Sequence, residues 1–193
     1  MLRTLPESPD SFQPFDAVRT FSAKVPVMAR RRALPFDPID EASRQWGRRW
    51  GAVEQMRAVT SLMRAQQIVI NELDDILRKH GLTFARFEAL VLLTFSRRGS
   101  LPLGKMGERL QVHPTSVTSI VRRLEAAGLV TRTPHPDDGR AVLCEITPEG
   151  RDLVERATAD LVAADFALRG LTDEQLKMLW SVLEPLRHNA GDF

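Results

Sequence analysis

Apolar residues recur along most of this chain at helical spacing. Between Val53 and His80, Met56, Val59, Met63, Ile70, Leu73 and Leu77 stand three, four or seven positions apart, along one side of a helix. Leu62, Val69 and Ile76 widen that stripe, so the helix must pack on more than one neighbour, and Gly81 stops it. A second stripe, Phe84, Phe87, Leu90, Val91 and Phe95, predicts a helix from Thr83 to Arg97. Two shorter helices follow, Leu103–Leu110 and Pro114–Ala127. Then two short runs, Val130–Pro134 and Ala141–Ile146, can pair as a β-hairpin, with Asp138-Gly139 as its corner. Thr147-Pro148 restarts helix, carrying Leu153, Ala157, Leu161, Ala164 and Leu168. Gly170–Gln175 ends it and caps a last helix with Leu176, Leu179, Trp180, Leu183 and Leu186. Upstream, Asp37 and Pro38 open a helix that runs to Trp50, where Gly51 breaks it.

This pattern predicts a mainly α protein of seven helices with one two-stranded β-ribbon. Residues 1–36 show no sustained period and read as an irregular arm. Its arginines at 30–32 either touch phosphate or form a solvated basic tail, and Met28 is an alternative start of translation.

The segment Leu101–Val130 is the most informative. Two short helices separated by Gln111–Pro114 make a helix-turn-helix candidate. On a wheel, Val117, Ile120, Val121 and Leu124 of the second helix share one arc. Thr115, Ser119 and Arg122 take the opposite arc, flanked by Ser116, Thr118 and Arg123. A helix face that needs only solubility carries Glu and Lys. Short hydroxyls near an N-terminus, with arginines one or two turns later, suit a DNA major groove instead. The backbone can approach closely, hydroxyls bond base edges or phosphates, and the positive helix end favours phosphate. Pro114 fixes the first turn without wasting an N–H. Beside such a helix, the hairpin is a wing. Arg140 at its tip is then drawn to the negative potential of a narrow minor groove, and Asp138 can orient it.

Charge changes this picture only when divided along the chain. Residues 97–140 hold eight basic side chains against four acidic ones, whereas residues 141–193 hold ten acids against five bases. The basic middle is either a surface for a polyanion or an ordinary solvated face. The longest apolar run, Ala89–Leu93, is far short of a membrane span, and no secretion signal opens the chain. One cysteine, Cys144, excludes an internal disulfide framework and fits a reducing, cytoplasmic (nucleoid-associated) setting. Cys144 reads as a half-buried strand residue or, less simply, as an oxidant-sensing thiol. His80, His113, His135 and His188 show no zinc spacing, so no metal or cofactor is expected. Gly99–Met106 nearly spells a phosphate loop but lacks the hydroxyl at Met106, and no nucleophile–base pair is visible. The chain does not read as an enzyme.

The motif Ser116–Arg132 together with the wing Pro136–Arg151, which contains an Asp-x-Arg, resembles the multiple-antibiotic-resistance regulator (MarR) family of bacterial transcription factors. The resemblance implies a homodimer of winged helix-turn-helix lobes with interlocked terminal helices, bound to a pseudo-palindromic operator as a repressor. It also implies release by a small phenolic or acidic effector. By position, the DNA-facing set is Pro114, Thr115, Ser116, Thr118, Ser119, Arg122 and Arg123, with Arg132 and Arg140 on the wing. Many members have arginine where Ser119 stands, which shifts readout toward Arg122, and Arg123 serves either DNA or a structural ion pair. The implied division is 1–36 arm, 37–82 N-terminal dimerisation helices, 83–147 DNA-binding lobe and 148–193 C-terminal dimerisation helices. The helix before Gly51 resembles the urate- and pectinase-regulator subgroup, which makes Trp46, Trp50 and Glu88 candidate ligand-pocket residues. Ile120 departs from that subgroup's arginine, and the tryptophans are equally suited to interface packing. The rival reading is a winged-helix module that binds protein rather than DNA.

Overall fold

The computed structural model describes residues 34–136 and 138–193, with the backbone but not the side chain of Arg140. The expectations for the arginines at 30–32 and for Met28 lie outside the described residues.

Asp37 caps the first helix as the sequence predicts, its carboxylate accepting the Ile39 N–H at 2.8 Å. Helix α1, Pro38–Gly47, ends earlier than expected, and a turn carries the chain through Trp50. Gly51 and Ala52, both left-handed, redirect it into α2, Val53–Leu77. A 3-10 turn, Arg78–His80, and a left-handed Gly81 close α2. Only Met56, Leu73 and Leu77 of the long stripe are buried; Val59 and Met63 face outward, as does Ile68 beside the stripe. The next helix, α3 (Phe84–Phe95), starts with a borrowed cap: Asp74 on α2 accepts the Phe84 N–H at 2.6 Å. It stops two residues short of the expected end, and Phe95, read as part of the apolar side, is turned out.

Helix α4, Leu103–Leu110, and α5, Pro114–Ala126, meet the expected bounds closely. They approach so tightly that a Cβ on Gly107 would sit 3.2 Å from Val117. The ribbon is β2, Val130–His135, and β3, Asp138–Ile146. A third strand, β1 (Ser100–Pro102), was not expected; it pairs antiparallel with the other edge of β3, giving the order β1-β3-β2. The hairpin corner also differs. Asp138 already pairs with His135, so Asp138-Gly139 belongs to β3 rather than to the corner. The next partners are Pro134 and Val142, which leaves Gly139, Arg140 and Ala141 as a bulge with no counterpart on β2.

Helix α6, Pro148–Ala163, is capped by Thr147, whose hydroxyl accepts the Gly150 N–H at 3.1 Å. It ends before the expected Leu168, because Asp165, Phe166 and Ala167 all take left-handed backbone. Helix α7, Asp173–Asn189, opens with a Thr172–Gln175 capping box and buries no residue. The core joins Leu73, Leu77, Leu90, Leu93, Met106, Val117, Val121, Leu124, Cys144, Ile146, Val154 and Leu161. Removing one such leucine costs about 2–5 kcal/mol. Across this core, Asp160 on α6 grips the end of α2, with His80 Nε2 at 2.5 Å and Lys79 Nζ at 2.8 Å from one carboxylate oxygen. Those two partners hold the Asp160 carboxyl below its usual range.

Candidate nucleic-acid interface

Helix α5 is anchored by the arc that the wheel assigns to the interior. Val117, Val121 and Leu124 are buried, and Ile120 is half-buried against the core. The opposite arc is open. Pro114, Thr115, Ser116, Thr118, Arg122 and Arg123 are exposed, and Ser119 is half-buried. Pro114, Thr115, Thr118, Ser119 and Arg122 line one shallow continuous surface.

The cap of α5 is His113, not Thr115 or Ser116. Its Nδ1 accepts the Thr115 N–H at 3.3 Å and lies 3.1 Å from Thr115 Oγ1. Thr118 Oγ1 donates back to the Pro114 carbonyl at 3.0 Å, which leaves its lone pairs outward. Ser116 and Ser119 make no side-chain hydrogen bond with the described residues, so both hydroxyls are available to a ligand. Arg122 and Arg123 form no ion pair with the described residues either.

The ion pair lies instead on Arg132. Glu125, at the end of α5, takes Arg132 Nη2 at 2.6 Å and Nε at 2.8 Å on one carboxylate oxygen. That hydrogen bond and charge raise the Arg132 pKa further, and the pair ties α5 to β2. Arg86 on α3 is a residue the sequence reading missed. Partial burial lowers its pKa first, and the neighbouring Arg123 charge lowers it further, against a smaller pull from Asp74. The charges of Arg86 and Arg123 are therefore close enough to oppose each other. Arg86 lies outside the basic window 97–140, and only the packing of α3 against α5 brings it there.

On the wing, Arg140 sits within the bulge. The expected Asp138–Arg140 ion pair involves a side chain outside the described residues.

The candidate ligand residues do not converge. Trp46 and Trp50 stack edge to face with centroids 4.8 Å apart, Trp46 Nε1 donates to the Gly51 carbonyl at 2.8 Å, and Arg49 lies over Trp50. None of these contacts reaches Glu88, on exposed α3 surface, where partial desolvation raises its carboxyl above the usual range. Cys144 is fully buried rather than half-buried, and desolvation pushes its thiol up to about 12. A thiol kept protonated is the reverse of a redox sensor. Among the described residues no cluster has metal-binding composition, and no helix is long and apolar enough to cross a membrane.

Two packed helices, an exposed hydroxyl-and-arginine face and a bulged ribbon define a winged helix-turn-helix protein of the DNA-reading class. The MarR family model matches residues 83–142, which span α3 through most of the wing. The organic hydroperoxide resistance transcriptional regulator of Bacillus subtilis is 34% identical over 58% of this chain and 74% of its own length. Sco5413, a MarR family transcriptional regulator from Streptomyces coelicolor, is 54% identical over 74% of this chain and 99% of its own, with a TM-score of 0.70. Sco3205, a MarR family regulator of the same organism solved in complex with DNA, is 25% identical over 73% of this chain and 90% of its own, with a TM-score of 0.67. The chain belongs to the MarR family of transcriptional regulators.

Proposed function

We propose that this chain is a homodimeric, ligand-responsive repressor that binds a pseudo-palindromic operator in double-stranded DNA. Helix α5 enters the major groove and the wing places Arg140 in the adjacent minor groove. The observation that carries the reading is the outer face of α5: it presents hydroxyls and arginines, and Ser116, Ser119, Arg122 and Arg123 have no hydrogen bond or ion pair with the described residues, on a helix whose other side is fixed in the core. Ser119 and Arg122 read base edges. Ser116, near the positive helix end, holds a phosphate, and Thr115 and Thr118 keep that surface short enough for the backbone to approach closely. Arg123 and Arg86 share one phosphate, and Arg132, locked by Glu125, sets the angle between helix and wing.

Two open apolar surfaces support the dimer. On α7, Met178, Leu179, Trp180, Val182 and Leu186 are exposed, as are Val59, Met63 and Ile68 on α2. Apolar surface on this scale is normally covered. In this reading 37–82 and 148–193 are the dimerisation helices and 83–147 the DNA-binding lobe. A phenolic or acidic effector would bind where Trp46, Trp50 and Glu88 meet across the assembled dimer.

Salt titration tests the reading. If each dimer neutralises about ten phosphates, log affinity for duplex falls against log salt with a slope of about −9. A slope near zero would remove the DNA assignment and leave a winged-helix module that binds protein.

A further inference from the structure

The turn after α3 and the end of α4 enclose a shallow recess lined by Phe95, Arg97, Arg98, Ser100, Leu101 and Arg109. It lies along β1, the opposite edge of the sheet from β2, and shares no lining residue with the α5 face. Phe95 is 82% exposed although its spacing belongs to the buried stripe. The chain leaves the helix directly after it: Ser96 turns to extended backbone, and its N–H and hydroxyl both donate to the Leu93 carbonyl, at 3.1 and 2.8 Å. The turn is fixed, not loose. Gly99 N–H donates to the Ser96 carbonyl at 3.1 Å, and the Gly99 carbonyl accepts the Ile146 N–H of β3 at 2.9 Å. Gly99 is left-handed and buried, so the turn cannot easily adopt another shape.

Arg97, Arg98 and Arg109 are exposed, and none forms an ion pair with a described residue. The acid nearest in sequence, Glu108, is taken by Lys105 at 2.8 Å. A solvated face would intersperse carboxylates and would not hold a phenyl ring in water. Aromatic and arginine side chains held on rigid backbone are the composition of interface centres.

We propose that this recess docks an acidic peptide segment of another protein, one with an apolar side chain between its carboxylates. The ring takes the apolar group and the three guanidinium groups take the carboxylates. Duplex phosphates would leave the ring without a contact. A single nucleic-acid strand needs several stacking platforms, and the recess has one. A small anion needs enclosure, which so open a recess does not provide.

Fluorescence anisotropy on the full chain tests this, with a fluorescein-labelled peptide of glutamates flanking a Leu-Phe pair. At physiological salt the peptide should bind saturably and stay bound when random-sequence duplex is added. Phe95→Ser should weaken it roughly ten-fold, as should replacing the peptide's Leu-Phe by Gly-Ser, with thermal unfolding unchanged. Arg97→Glu with Arg98→Glu should abolish binding while duplex affinity stays the same. No saturable binding, or equal binding by Phe95→Ser, would overturn the proposal. Displacement by duplex, or duplex affinity lost with the two arginines, would overturn it in favour of DNA. Concentration-dependent self-association that Phe95→Ser abolishes would overturn it in favour of a second copy of this chain.

Discussion

One carboxylate oxygen of Glu125 holds both Nε and Nη2 of Arg132, and this contact separates two arginines that the sequence treats alike. Arg132 is occupied within the molecule, whereas Arg140 stands in a bulge beyond the regular ladder. Arg140→Ala is therefore expected to weaken operator and random duplex nearly equally, and Ser119→Ala to change the preferred sequence. Competitive binding with a randomised duplex pool measures both, and an Arg140→Ala protein with unaltered affinities would remove the wing contact. Cys144 carries a second prediction. With its thiol pushed up to about 12, iodoacetamide at neutral pH should modify it only after unfolding. Raising the pH has a defined effect: the unfolded chain ionises its thiol first, near 9, so this residue's contribution to stability declines between about 9 and 12. Native-state alkylation as fast as in denaturant would contradict the burial. The sequence gives Glu125 and Arg132 as charges of opposite sign seven positions apart, but only the turn between α5 and β2 brings them together. Arg86 was harder to foresee, since its approach to Arg123 depends on the packing of two separate helices.

At the scale of elements, the start of α6 is pressed against the end of the turn that follows α5. The Thr147 N–H donates to the Leu129 carbonyl at 3.1 Å, and the Thr147 hydroxyl lies 2.9 Å from the Gly128 carbonyl. A Cβ on Gly150 would meet that Leu129 oxygen at 2.3 Å and Ile146 Cγ1 at 2.8 Å. Gly150→Ala is expected to destabilise the fold by about 1–3 kcal/mol through overpacking. Urea unfolding should show a lower midpoint with an unchanged m-value. The helices were legible because each carries its own apolar stripe, and some also a cap of their own, as at Asp37 and Thr147. β1 was not: three residues ending in proline carry no strand signal, and they pair because β3 offers them an open edge. The end of α6 was also hidden, since no glycine or proline marks the left-handed run at Asp165–Ala167. For the division of α5 into an inner and an outer face, the wheel sufficed. Its cap did not follow the usual preference, because histidine fills a place that serine or threonine commonly takes.

Across the whole molecule, the apolar side of α7 is left largely open: no residue of it is buried by the described residues, and only Leu176 and Leu183 are half-buried. Leu183→Asp or Leu186→Asp is expected to yield monomers or unfolded protein, which sedimentation velocity and circular dichroism distinguish. A folded monomer that still binds duplex tightly would refute the dimeric reading. The long helix α2 has a different role, because it holds two other elements at one end. Its Asp74 starts α3, and the turn that closes it meets Asp160 of α6 through Lys79 and His80. The three helices thus share one stiff joint. A tilt of α2 would therefore act like a crank, turning the start of α3 and the body of α6 together.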